Sequence, residues 1–387
     1  MLEFTLRRLA ATIPVLLGIL LIAFVVLYLI PGDPAQTVAG PRANAETLAR
    51  IAEEMAASGS WTTPTLEGKP WLEKPPLYYW STIPFLSAVP DREAAARCAP
   101  ALGALVTALA LFWLGTALWN RLSGLLGGSI ALTSLGFVAG GRTAATDMPF
   151  TCCLTLGLAC LAAAARRDPG PLKILAAYAF LGLAVLGKGP VAVILAAGIG
   201  LLYWYLHDRG DTMRRWRVCR GIPVLLLVGA PWFWLAFREN GYAFVATFFV
   251  NHNLARYVTE IHHHSQPFYF YIPVLLLLMF PWSGWLPFLI TESPLKTLRR
   301  WRHWDPGMLF LTCWFLVPLL FFSMSDSKLA GYILPSLPPA SLILGARIAR
   351  RIEDGSASPV LRISMVLSLA LSAVMALGAP LYFRKDY

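Results

Sequence analysis

The chain has 387 residues, of which 57% are hydrophobic and 14% are charged, and its mean hydropathy is +0.61. A soluble domain is about half apolar and about a quarter charged, so these values exclude an ordinary soluble protein. The net charge is +11, but the arginines lie in short loops between apolar runs and form no aromatic-interleaved patch, so nucleic-acid binding is not expected.

Apolar runs of about 20 residues recur along the chain, and each predicts a membrane-spanning helix. Arg7 and Arg8 precede the first run, which we interpret as an uncleaved span. About eleven spans are predicted, with the bounds 9–30, 95–119, 122–139, 148–165, 172–187, 189–206, 221–237, 268–290, 306–323, 329–349 and 360–383. The predicted fold class is therefore an all-α polytopic membrane protein, with loop helices on the outer face after the first span.

The distribution of lysine and arginine predicts the orientation, because cytoplasmic loops carry the excess of these residues. With the N-terminus in the cytoplasm, every strongly basic loop falls on the inner side. These loops contain Arg121, Arg166 and Arg167, the 209–220 segment, the 296–302 segment, and Arg350 and Arg351. The opposite, periplasmic face then receives the loops with acids, histidines and isolated lysines, so we expect the functional site there.

Close packing is predicted for the third span, which contains Gly124, Gly127, Gly128 and Ser129. Small residues let the backbones of neighbouring membrane helices approach one another.

The first outer loop contains the stretch Trp71–Trp80, with Glu73 and Lys74 directly before Pro75 and Pro76. The two prolines favour an extended chain, and the aromatic residues suit a membrane–water boundary. Glu73 and Lys74 could form a surface ion pair of little energetic weight. Alternatively, Lys74 binds a lipid phosphate at this boundary.

Asp147 opens the fourth predicted span, and Lys188 lies between two glycines at the end of the fifth. Asp147 is either a helix cap or a carboxylate that faces an outer cavity as a base, metal ligand or sugar-binding group. Lys188 is either a lysine in a plain hairpin loop or part of an anion site.

Four of the six histidines lie within thirteen residues, at His252 and at His262, His263 and His264. Such a cluster is either a polar loop feature or a candidate divalent-metal site for zinc or magnesium. Lys328 and Tyr332 lie together at another outer boundary, where phosphate or sugar recognition would use a cation and a phenol.

From about Glu54 to the C-terminus the chain resembles the membrane glycosyltransferases of the aminoarabinose-transferase and dolichyl-phosphate-mannose protein mannosyltransferase superfamily. The stretches that carry this resemblance follow one another in the family's order. They are Glu54-Met55 through Trp61-Thr62-Thr63-Pro64, Glu73-Lys74-Pro75-Pro76, Thr146-Asp147-Met148-Pro149, Gly187-Lys188-Gly189-Pro190, Gln266 through Tyr271, Phe280-Pro281-Trp282-Ser283, and Ser327-Lys328 through Pro335.

The resemblance implies a GT-C fold and transfer of a sugar from a polyprenyl-phosphate donor to a lipid A-like lipid or a protein at the outer face of a bacterial inner membrane. It implies Asp147 as a catalytic carboxylate. The implied donor-phosphate residues are Lys74, Arg256, Lys328 and Tyr332, with Lys188 as a further candidate from its own loop. Glu73 and His252 are the implied metal ligands, with His262 to His264 as the alternative.

The beginning of the chain departs from this family pattern. Where the family has an Asp-Glu pair after its first span, this chain has Asn44-Ala45. Residues 1–51 instead resemble the N-terminus of dipeptide and oligopeptide ABC-transporter permeases, through Leu6-Arg7-Arg8-Leu9, Ile13 through Gly18, and Leu29 through Pro34. We therefore predict two parts, residues 1–51 and 52–387, the second without the soluble C-terminal domain of some family members.

Three functions follow from these observations. The first is a polyprenyl-phosphate-sugar glycosyltransferase, whose activity the Asn44-Ala45 departure could impair. The second is a permease subunit for peptides, but Glu93-Ala94-Ala95, the only lookalike of a permease coupling motif, lies on the outer side and lacks the glycine. The third is a non-catalytic lipid-binding membrane protein. The sequence predicts neither the sugar, the acceptor nor the oligomeric state.

Overall fold

The structure is a computed structural model that describes residues 45–166, 170–207, 211–255, 266–285, 288–289, 304–355 and 359–383. Fourteen α-helices are named here in chain order. They are α1 Ala45–Ser58, α2 Leu77–Ala88, α3 Arg92–Leu118, α4 Arg121–Thr133, α5 Leu135–Arg142, α6 Asp147–Arg166, α7 Pro171–Lys188, α8 Val191–Leu206, α9 Asp211–Arg215, α10 Val218–Phe244, α11 Tyr271–Leu278, α12 Pro306–Ser323, α13 Leu337–Glu353 and α14 Pro359–Phe383.

Shorter elements join these helices. A two-stranded antiparallel hairpin pairs β1, Thr65–Leu66, with β2, Lys69–Pro70. A π-helix, Val245–Ala255, continues α10, and 3-10 helices occupy Phe268–Phe270, Trp282–Trp285 and Ala330–Ser336.

Among the described residues, five helical segments are long and apolar enough to cross a membrane, or six if the bent pair α4–α5 is one span. The five are 92–118, 147–164, 171–188, 218–251 and 306–323. The all-α polytopic membrane fold is thereby confirmed. The first predicted span, 9–30, lies outside the described residues, and the total of about eleven stays a prediction.

Three predicted spans are not single straight helices, and the one predicted at 329–349 is divided between the 3-10 helix at 330–336 and α13. The span predicted at 122–139 is bent by 60° between α4 and α5, where Ser134 has an extended conformation. The span predicted at 268–290 is divided between α11 and short 3-10 helices. Pro281 lacks the N–H that a continuing helix needs, and the Phe280 carbonyl accepts from the Leu135 backbone instead.

The predicted close packing of the third span is confirmed, and its partners are α3 and α13. A Cβ atom added to Gly128 would lie 2.8 Å from the Ala108 carbonyl oxygen of α3. A Cβ atom on Gly345 of α13 would collide with the backbone nitrogen of Gly127. The three backbones touch because these positions have no side chain, which increases van der Waals contact in an apolar solvent.

We expect Gly345→Val to lower the free energy of unfolding by about 3 kcal/mol, because the added methyl groups meet backbone rather than a movable side chain. Thermal unfolding of the purified protein in detergent would measure this loss. Ala101→Val is the matched control, since Ala101 is an exposed position on α3. Equal unfolding temperatures for the Gly345 variant and the wild type would contradict the packing argument.

On one side of this bundle, α1 packs against α2 and α3 through a separate apolar cluster that includes Ile51, Met55, Tyr78 and Tyr79. Residues 61–63 are fixed to α10, because the Trp232 indole N–H donates to the Thr62 carbonyl at 2.8 Å and the Asn240 amide donates to Thr63 Oγ1 at 2.8 Å. The segment between α1 and α2 is therefore an ordered cover over one end of the helices.

Candidate active site

Asp147 and Lys188 form an ion pair at the covered end of the bundle. Asp147 is the first residue of α6 and Lys188 is the last residue of α7. The two helices are adjacent and antiparallel, so the start of one lies next to the end of the other. The Lys188 ammonium donates to Asp147 Oδ1 at 2.5 Å, and the side chains are 10% and 26% exposed, respectively.

Two aromatic rings enclose the Lys188 ammonium. Nζ lies 5.0 Å from the centroid of the Tyr332 ring and 5.3 Å from that of Phe150. A cation at these distances is attracted by the negative faces of both rings. The ammonium is thus held between a carboxylate and an aromatic ring of α6 and the Tyr332 ring of the 3-10 helix at 330–336.

The local backbone gives Lys188 this position. Gly189, which ends α7, has a φ of 72°, a conformation that favours glycine. The Phe248 ring lies against Gly189, where an added Cβ would be 2.7 Å from Phe248 Cζ. Gly189 thus lets α7 end directly after Lys188, next to the Phe248 ring, and the role of Lys188 in an anion site stays a prediction.

The Trp71–Trp80 stretch lies beside this pair, as the positions of Leu72 and Leu77 show. Leu72 is buried in a cluster with Leu186, Trp232 and Phe248, and Leu77 packs at the edge of that cluster. Glu73 and Lys74 are half-buried next to it in sequence. The structure therefore brings the predicted boundary loop to the end of α7 where Lys188 lies.

Lys328 has a different environment from the one predicted for a phosphate ligand. Its side chain is buried, and its ammonium donates to two backbone carbonyls, those of Gln266 at 2.8 Å and Ser325 at 2.5 Å. Tyr332, four residues later, faces Lys188 instead. The direct contact of Lys328 with a phosphate stays a prediction.

A narrow cleft opens beside the ion pair, and Asp147 is the charged residue among those that line it. Small residues and leucines from α5, the loop that follows it, α11 and the 3-10 helix at 330–336 form the rest. The lining residues are Gly136, Gly140, Thr143, Ala145, Asp147, Leu278, Gly331 and Leu334. An acceptor group entering this cleft would meet a carboxylate in an otherwise apolar surrounding.

Several predicted site residues are beyond what the structure describes. Arg256 and His262 to His264 lie outside the described residues, and for His252 only the backbone, within the π-helix, is described. The described residues contain no group of three histidine, cysteine, aspartate or glutamate side chains that could hold a metal ion. The metal site at Glu73 and His252 therefore stays a prediction.

Two residues at the site had no predicted role. Phe150 follows Asp147 by one helical turn and covers Lys188, and Tyr271 donates through its hydroxyl to the Leu329 carbonyl at 3.1 Å. The sequence signal for Phe150 is its i+3 spacing from Asp147, which places both residues on one face of α6. For Tyr271 the signals are an aromatic residue at the edge of an apolar run and its place in the Gln266–Tyr271 stretch that resembles the family.

Comparison with known proteins identifies the architecture. The family model for dolichyl-phosphate-mannose-protein mannosyltransferases matches residues 14–248. The chain belongs to this mannosyltransferase family. The match begins inside the segment that resembles a permease, so it gives the permease resemblance of residues 1–51 no support. Residues 1–44 lie outside the described structure, and the division at residue 51 stays a prediction.

Curated relatives of this mannosyltransferase-family chain align with it over most of its length. The undecaprenyl phosphate-alpha-4-amino-4-deoxy-L-arabinose arabinosyl transferase of Pseudomonas paraeruginosa is 32% identical over 95% of this chain and 65% of its own length. The protein of that name from Pectobacterium carotovorum is 30% identical over 93% of this chain and 64% of its own. The chain thus spans slightly less than two thirds of the relatives it matches.

Solved structures show the same fold. The crystal structure of ArnT from Cupriavidus metallidurans bound to undecaprenyl phosphate matches 94% of this chain and 64% of that one, with a TM-score of 0.76 at 24% identity. An archaeal oligosaccharyltransferase, AglB from Archaeoglobus fulgidus, matches 94% of this chain and 55% of that one, with a TM-score of 0.54 at 14% identity. The predicted GT-C-like membrane fold is confirmed.

Proposed function

We propose that this chain is a glycosyltransferase that moves a sugar from a polyprenyl-phosphate donor to a lipid, of the lipid A class, or to a protein acceptor. The observation that carries the proposal is the half-buried Asp147–Lys188 pair, placed beside a cleft in a fold shared with ArnT. The relatives named above are arabinosyl transferases that use undecaprenyl phosphate by name, which supports a donor of this class.

The chemistry requires one bond exchange at the anomeric carbon of the donor sugar. The bond between that carbon and the phosphate oxygen breaks, and a bond to the acceptor oxygen or nitrogen forms. In this proposal Asp147 accepts the proton that the acceptor loses. Lys188 orients the Asp147 carboxylate through its hydrogen bond. The polyprenyl phosphate leaves with the electron pair, and cations nearby stabilise its additional negative charge.

Lys74, Arg256 and Tyr332 are the residues we propose for the donor phosphate, with Lys188 and Lys328 as further candidates. Lys74 lies in the loop beside α7, and Tyr332 borders the ammonium of Lys188. A phosphate held by Lys74 and Tyr332 would lie near the Lys188 ammonium, which the Tyr332 ring borders. The donor sugar would then point from the phosphate toward the cleft.

We also propose that the protein lies in a bacterial inner membrane with its N-terminus in the cytoplasm and its site on the periplasmic face. The basic loops support this orientation, since Arg121, Arg350 and Arg351 lie at the helix ends opposite to Asp147 and Lys188. A donor linked to a polyprenyl chain is anchored in the membrane, so it can reach a site at the membrane boundary of that face.

Transfer by the purified protein in sealed vesicles tests the function and the orientation together. Labelled undecaprenyl-phosphate aminoarabinose and lipid A are supplied, and label in the lipid A fraction is measured. We expect transfer when the proposed periplasmic face is open to the added acceptor and none in vesicles of inverted orientation. Transfer only in the inverted vesicles would overturn the orientation, and binding of the donor without transfer in either preparation would overturn the enzymatic function.

One observation favours a second candidate, a lipid-binding protein that does not catalyse transfer. Asn44-Ala45 replaces the Asp-Glu pair that the family resemblance leads us to expect, and an asparagine side chain cannot act as a base. Donor binding without transfer in the same assay would support this alternative.

A further inference from the structure

Lys328 is a buried cation with an unusual set of partners. Its side chain is 6% exposed, and burying an ammonium ion is costly unless hydrogen bonds or an opposite charge compensate it. Within the described part of the chain no carboxylate forms an ion pair with it. Its hydrogen bonds go to the carbonyls of Gln266 and Ser325. The ammonium therefore joins two segments that are about sixty residues apart in sequence.

A second hydrogen bond joins the same two segments. The Tyr271 side chain is buried, and its hydroxyl donates to the Leu329 carbonyl at 3.1 Å. That carbonyl also accepts from the backbone N–H of Tyr332 at 3.0 Å. The Tyr271 hydroxyl thus bonds to the peptide group that begins the 3-10 helix containing Tyr332.

This connection ends at the candidate active site. The Tyr332 ring is 5.0 Å from the Lys188 ammonium, which pairs with Asp147. Tyr332 comes from a short 3-10 helix, which has weaker hydrogen-bond geometry than an α-helix. Its ring position therefore depends on what holds the first residues of that helix.

We propose that Lys328 and Tyr271 are positioning residues that fix Tyr332 over the Asp147–Lys188 pair by joining the 266–271 segment to the 325–332 segment. Neither residue needs to touch the donor or the acceptor in this role. The catalytic consequence rests on the proposed transferase function, whereas the positioning itself does not.

Amide hydrogen exchange in the protein without donor tests the positioning directly. We expect Lys328→Met to increase exchange in residues 329–336 roughly tenfold or more, and Tyr271→Phe to increase it in the same residues to a smaller degree. Tyr271→Phe keeps the buried ring, so it remains informative if Lys328→Met does not fold. The control is Lys69→Met, which removes an exposed lysine from β2. Unchanged exchange in both variants would overturn the proposal.

Transfer kinetics then separate positioning from direct phosphate binding. Positioning predicts that kcat falls roughly tenfold in Lys328→Met while the donor KM stays within about twofold, and that Lys328→Arg recovers part of kcat. A large rise in donor KM with unchanged exchange would instead make Lys328 a phosphate ligand. If the wild type transfers no sugar, the proposed function fails, but the exchange result still decides whether these residues hold Tyr332.

Discussion

Replacing Asn44 with aspartate should raise the rate of sugar transfer by roughly 100-fold or more. A positioned carboxylate that takes a proton contributes about 10²- to 10⁴-fold to a reaction, and the asparagine amide cannot do this. The family resemblance places an aspartate at this position, directly before the first residue of α1, Ala45. Asn44 itself lies outside the described residues. The measurement is the initial rate of label transfer from the polyprenyl-phosphate donor at saturating acceptor.

The single substitution is preferable to restoring both residues of the pair. Ala45 is buried in the cluster that α1 forms with α2, so Ala45→Glu would bury a carboxylate without a prepared partner. Thr47→Asp is the matched control, because it adds the same charge three residues further along the chain, at a half-buried position in α1. A rate equal to the wild type in Asn44→Asp would show that this position does not limit catalysis.

Asp147→Asn should lower the rate of transfer by roughly 100-fold or more in the chain that carries Asn44. The amide retains an oxygen that can accept the Lys188 hydrogen bond, so the fold around the pair is preserved. What is lost is the negative charge that would accept a proton from the acceptor. Initial rates and thermal unfolding are measured together, so that a loss of activity is separated from a loss of folded protein.

Asp326→Asn provides the comparison for this experiment. Asp326 is an exposed carboxylate in the turn before Lys328, so its neutralisation changes the net charge equally. We expect that variant to transfer sugar at close to the wild-type rate. Full activity in Asp147→Asn would remove Asp147 from the mechanism and with it the assignment of the cleft.

Much of the fold could be predicted from local sequence. Within a membrane, backbone N–H and C=O groups must form hydrogen bonds inside the helix, and a long apolar run predicts such a helix. The spans at 95–119, 148–165 and 306–323 are therefore recognisable without a structure. The glycines at 124, 127 and 128 similarly indicate close packing. The break at Pro281 and the bend at Ser134 were not predicted, because a run of apolar residues has the same composition whether it is straight or divided.

The sequence by itself determined that this protein is a polytopic membrane protein, and it selected Asp147, Lys188 and Tyr332 as candidate residues. These predictions were possible because charged residues at the ends of apolar runs are energetically costly in a membrane and therefore stand out in the sequence. Only the tertiary structure decided that Asp147 and Lys188 pair with each other, that Tyr332 covers them, and that Lys328 bonds to backbone carbonyls instead. The physical reason is that the partner of a side chain depends on which helix ends lie together in space. Asp147 and Lys188 are 41 positions apart in sequence, and no local sequence pattern predicts that these two helix ends are neighbours.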